Sequence, residues 1–168
     1  SEQLDPEEMR ELLRRYHSIC SKWIRHYEGY LAKFLGDGVL AYFGYPHSHE
    51  DDARRAVRAG LAIVEEAKRT TISLADHADL AISVRVGIHT GLVIVGDLDF
   101  DDGVETNAVV GRTPNLAARV QTVAQPNSVV ITGDTARRVG GYVLHKDIGL
   151  HTLKGISKPL PLFQAISE

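Results

Sequence analysis

Cysteine is nearly missing from this chain. Cys20 is the only one, so no disulfide can form within it, and a reducing, cytosolic compartment is the simplest setting for such a composition. Basic charge is not in excess: 19 Lys and Arg stand against 22 Asp and Glu, a formal net charge of −3. That gives no support to nucleic-acid binding, which calls for a basic face. No apolar run approaches the ~18 residues of a membrane span, and the polar opening residues do not read as a signal peptide. Internal repeats and low-complexity segments are absent too. What remains is 168 residues with 43% hydrophobic and 24% charged side chains. This is the composition of a globular protein with a real core, and the length suits a single domain spanning 1–168.

Local punctuation is clear. Asp5-Pro6-Glu7-Glu8 supplies a cap, a proline at the first helical position and a glutamate three after the cap. Met9, Leu12, Leu13, Tyr16, Cys20, Trp23 and Tyr27 then recur every three or four residues, which predicts an amphipathic helix over roughly 5–27. "AKFLGDGVLAYFG" follows. Asp-Gly between apolar stretches predicts a β-hairpin, about 29–35 and 38–43. Its strands are apolar on both faces, as in a sheet covered on both sides. Ser48-His49-Glu50-Asp51 predicts the cap of a second helix running to about Arg69, with Glu50–Arg54 and Asp51–Arg55 as i,i+4 pairs.

A polar connector is expected over 70–80. "LAISVRVGIHTGLVIVGDL" alternates on both sides of Thr90-Gly91 and predicts a second hairpin, with "VETNAVVG" as a further extended piece. Thr113-Pro114 opens a third helix to about Ala124. "SVVIT" predicts a strand, "GDTARRVGG" a short helix, and "YVLHKDIGLHTLKG" and "LPLFQAI" late strands. The order predicts an α+β fold with helices on an antiparallel-rich sheet.

Three stretches, "GYLAKFLGDGVLAYFGYPHSHEDDARRAVRAGLAI", "RVGIHTGLVIVGDL" and "VVGRTPNLAARVQ", resemble class III adenylate/guanylate cyclase catalytic domains, particularly bacterial ones. "LHTLKGISKPLPLFQ" adds a weaker match, and the resemblance covers essentially the whole chain in order. It implies a ferredoxin-like palm of the βαββαβ type. It implies a head-to-tail homodimer with ATP, or alternatively GTP, at the interface. The implied reaction is attack of the ribose 3′-OH on the α-phosphate, giving a 3′,5′-cyclic nucleotide and pyrophosphate. Two divalent ions, Mg²⁺ or Mn²⁺, would assist it, and other domains of a larger signalling protein would be its companions.

The resemblance assigns roles residue by residue. Asp37 matches a metal carboxylate at the hairpin tip, although Asp-Gly makes a turn unaided. Lys33, four residues earlier, matches a base-reading lysine; a plain strand lysine is the alternative. Ala108 occupies the second base-reading position, where a hydrogen-bonding residue is usual. Alanine cannot bond the adenine amino group, which leaves ATP against GTP open and favours a second reading, a catalytically impaired cyclase-homology module that binds nucleotide or a partner domain for regulation. Asn115 and Arg119, spaced i,i+4, match a ribose-orienting asparagine and a transition-state arginine; a solvated helix face is the alternative. Lys154 resembles a late lysine on the polyphosphate, though lysines are common in such turns.

Gly87, Gly91 and Gly96 lack the spacing of a phosphate loop and suggest close packing instead. Acids around His47 and His49 read as a helix start, not a metal cluster. One expected part is missing from the pattern. A βαββαβ unit needs a strand before the first helix, and the family's other metal carboxylate belongs to it. The resemblance therefore implies weak or no activity for these 168 residues by themselves.

Overall fold

The computed structural model describes residues 5–35, 37–72, 80–93 and 112–168. Helix α1 (Pro6–His26) begins where its caps put it. The Asp5 carboxylate accepts the Glu8 N–H at 2.8 Å, and the Glu8 carboxylate accepts the Asp5 N–H at 3.1 Å. Two otherwise orphaned amides are thereby satisfied, and these acids are occupied as caps. Ile19, Cys20 and Ile24 turn inward. Burial pushes the Cys20 thiol up to about 11 despite a hydrogen bond with Tyr16, so the thiolate that would react is scarce near neutral pH.

Strands β1 (Tyr30–Leu35) and β2 (Gly38–Tyr42) make the expected hairpin, paired from Tyr30 opposite Tyr42 to Leu35 opposite Gly38. One extra residue bulges from β1 between Leu31 and Lys33. Among the described residues the hairpin pairs only with itself, and β2 is half-buried along its length rather than covered on both faces. Leu31, Val39 and Ala41 pack into a cluster with α1, while Phe34 stays 46% exposed. A helix on one side can cover only one face.

Helix α2 (Asp52–Arg69) starts one residue after the expected cap. The Asp51 carboxylate bonds Arg55 at 2.8 Å instead of capping, and the Asp52 carboxylate reaches back to the His49 N–H at 2.7 Å. Arg54 turns to Glu168 at 3.6 Å. Glu66 ties α2 to α1, accepting from Lys22 at 2.6 Å and from the Trp23 indole at 2.7 Å. The ends of the expected polar connector pair as short strands β3 (Thr71–Ile72) and β4 (Leu80–Ala81).

The larger sheet has the order β5-β6-β8-β7, from β5 (Arg85–Ile88), β6 (Ser128–Thr132), β7 (Leu144–His151) and β8 (Leu160–Ser167). Strands β6, β7 and β8 pair antiparallel. Strand β5 runs parallel to β6, and the connection between them carries helix α3 (Arg112–Thr122), the kind of crossover parallel neighbours need. The first arm of the expected second hairpin is β5. Residues 91–93 are irregular, and the rest of its expected return arm, with "VETNAVVG", lies outside the described residues. Thr90 is engaged elsewhere: its hydroxyl bonds that of Thr135, at 2.7 Å, in helix α4 (Gly133–Val139).

All five residues of β6 are buried. Helices α2 and α4 cover Val129 and Ile131, and α3 covers Val130 with Leu162 of β8. A strand covered on both faces reads as a continuous apolar run, which "SVVIT" is. The fold is α+β, as expected. No helix among the described residues is long and apolar enough to cross a membrane.

Candidate active site

Two parts of the chain carry the expected residues. In the hairpin, Lys33 follows the bulge and is half-buried, while Asp37 is exposed at the tip. Bulges re-aim the side chains beside them. The tip lies against the middle of α1: the Phe34 and His17 rings are 4.2 Å apart. The Asp37 charge is felt at Tyr16, whose phenol is raised mainly by burial, then by Cys20, with Asp37 adding to it. An exposed carboxylate oxygen suits a hard divalent cation such as Mg²⁺ or Mn²⁺, which keeps waters and phosphate oxygens as its other ligands. No group of three or more His, Cys, Asp or Glu that could hold a metal gathers among the described residues.

The second part is built on α3. Leu116 and Val120 point into a core cluster with Val130, Leu153 and Leu162. Asn115 is exposed and Arg119 half-exposed on the other side. Arg119 reaches the turn that follows β7. Its Nη2 lies 3.9 Å from where a Cβ on Gly155 would stand, and Gly155 holds φ +82°, a conformation natural to glycine. Lys154, next to it, is exposed. One helix and one turn thus present two cations and an amide, a set suited to phosphate oxygens.

The structure brings Arg119 to the Lys154 turn, with Asn115 one helical turn away. Lys33 and Asp37 stand on an element anchored separately. The hairpin packs on α1 in one cluster, and α3 packs in another. Ala108, Gly96 and the neighbours Thr106 and Asn107 lie outside the described residues. Gly87 is a close-packing glycine as expected, but its neighbour is the backbone of α3. Thr113, readable in sequence only as a helix cap, donates instead to the Leu92 carbonyl at 2.7 Å. His49 bonds the Asp52 and Glu28 carboxylates, so the acids there serve the start of α2. A separate cleft of about 430 Å³ between α2 and β8 contains none of the expected residues.

Residues 1–159 match the family model described as "Adenylate and Guanylate cyclase catalytic domain". Adenylate cyclase 1 of Rhizobium meliloti (strain 1021) is 26% identical over 99% of this chain. The chain spans only 25% of that relative's length, and 23% of Putative adenylate cyclase 3 from the same organism. Among solved structures, the adenylyl cyclase CyaB from P. aeruginosa is 28% identical with a TM-score of 0.83, over 99% of this chain and 86% of that one. The guanylyl cyclase Cya2 is equally similar, 28% identical with a TM-score of 0.80, over 99% of this chain and 84% of that one.

Proposed function

Because the chain belongs to the adenylate and guanylate cyclase catalytic domain family, we propose that it converts ATP to 3′,5′-cyclic AMP and pyrophosphate at a site shared by two copies of itself. The carrying observation is the split just described. Arg119, Asn115 and Lys154 cluster at α3, while Lys33 and Asp37 sit on a hairpin packed elsewhere. In a head-to-tail homodimer the hairpin of one protomer faces α3 of the other, and each site draws residues from both protomers. This is the geometry the family resemblance implies.

The residue roles are those the family resemblance implies, and each has a chemical reason. Arg119 meets charge that develops on the α-phosphate oxygens as the 3′-OH attacks, and a guanidinium fork does so at close range. Asn115, one turn earlier, orients the ribose. Lys154 neutralises the polyphosphate. Lys33 donates to the adenine N1, and Asp37 holds Mg²⁺ or Mn²⁺ beside the phosphates. When bound, divalent ions would activate the hydroxyl and offset charge at the leaving group. Adenine is chosen on Lys33 alone, since Ala108 has no hydrogen-bonding side chain.

Ala108 also favours one alternative, a regulatory module that binds a purine nucleotide without turnover. Incubation of the intact protein with Mn²⁺ and ATP, or separately GTP, followed by mass spectrometry for cyclic nucleotide, separates the two. Product that disappears in Asp37→Ala supports the enzyme. No product from a folded dimer that still binds nucleotide supports the module.

A further inference from the structure

Three polar residues are buried among those described: Ser128, Thr132 and Thr135. A buried hydroxyl is costly unless it is bonded. Ser128 donates to the Gln125 carbonyl at 2.7 Å and closes the turn before β6. The other two both serve the segment after β5. Thr132 Oγ1 lies 2.8 Å from His89 Nδ1, and Thr135 Oγ1 lies 2.7 Å from Thr90 Oγ1. Thr132 is the N-cap residue of α4, yet its side chain makes no capping bond. Residues 89–90 are therefore fastened to the core by side chains placed for that contact.

From this fastened segment the next bond leads to α3, where Thr113 donates to the Leu92 carbonyl. Gly91 leaves room for the approach: a Cβ there would stand 2.7 Å from Thr113 Oγ1. Further down, a Cβ on Gly87 would stand 2.4 Å from the Gln121 backbone N and 2.8 Å from the Ala117 carbonyl oxygen. Backbone atoms cannot swing aside as a side chain can. Arg119 lies two residues from each of these contacts, about 200° round the helix. Strand β5 thus presses on the back of the turn whose front carries Arg119.

We propose that Thr113 is a positioning residue for Asn115 and Arg119, pinning the start of α3 to a segment that Thr132 and Thr135 hold, while Gly87 and Gly91 set how closely the helix lies. The catalytic part of this inference rests on the cyclase reading; the pin itself does not. In the intact protein, Thr113→Val accelerates amide exchange across 116–119, whose N–H groups bond the first turn of α3, roughly tenfold, the size of one lost hydrogen bond. Thr113→Ser, which keeps the hydroxyl, restores the native rate. Unchanged exchange, or an equal rise across β6 and β8, overturns the pin.

The catalytic part is read in mixed dimers of Asp37→Ala and Arg119→Ala subunits, which contain one complete site. Thr113→Val placed on the Asp37→Ala subunit, the donor of Arg119, lowers kcat at least tenfold with KM for ATP within twofold. The same change on the Arg119→Ala subunit lowers neither. Equal losses from both placements overturn the positioning role, since a general loss of stability would not depend on which subunit carries the change. If wild-type protein makes no cyclic nucleotide, the cyclase reading falls, and amide exchange alone decides whether Thr113 fixes α3.

Discussion

The hairpin and the third helix carry the two halves of the candidate site, and they are held in different ways. Among the described residues the hairpin is a two-stranded ladder resting on α1, with Phe34 half-exposed beside His17 and Asp37 in solvent. The third helix lies on the sheet through Leu116 and Val120, is pinned by Thr113, and touches the backbone of β5 at Gly87. An arginine that stabilises a transition state gains from being held in place before the reaction. A carboxylate that binds a metal together with the substrate can complete its geometry on binding. The rigid half carries the arginine, and the lightly supported half carries the carboxylate.

The largest expected effect breaks both halves. Asp37→Ala and Arg119→Ala should each lower turnover by about 10²–10³ or more, and mixing the two should restore part of it. Cyclic nucleotide measured by mass spectrometry checks both; no recovery in verified heterodimers removes the shared site. Next comes the rigid half. Leu162 is fully buried against α3, so Leu162→Ala should cost about 2–5 kcal/mol in urea unfolding.

The same experiment on the hairpin should give far less. Phe34→Ala removes a ring that is 46% exposed and should cost under about 1 kcal/mol. A cost equal to that of Leu162→Ala would erase the contrast. The smallest effect concerns the α1–α2 tie beneath the hairpin. Lys22, with the Trp23 indole, holds the Glu66 carboxyl below its ordinary range. A depressed carboxyl stabilises the fold above its unfolded pKa of about 4.3. That contribution is lost as pH falls through the lower folded value. Glu66→Gln should therefore cost tenths of a kcal/mol near neutral pH, and its stability should converge with wild type in acid.

Much of this was legible in the residues. The capping box at Asp5 and Glu8, the Asp-Gly hairpin and the buried "SVVIT" strand each depend on contacts within a few residues or on one burial pattern. Asn115 and Arg119 could be placed on one side of a helix from their spacing. Other features could not be read that way. "RVGI" alternates as a strand would, but nothing in it announces the parallel pairing with β6, more than forty residues on. Thr113 looks like a cap in sequence and acts as a pin, because Leu92 is brought beside it only when β5 and α3 pack.

By itself, then, the sequence determined the elements, their order and the family, because capping, periodicity and motif spacing are local properties written in consecutive residues. Tertiary structure alone decided three further things. It paired β5 with β6, packed the hairpin against α1, and brought Arg119 to the Lys154–Gly155 turn. Such meetings depend on how two finished faces pack against each other, and a pattern that says which side of an element is apolar does not say which distant element will cover it.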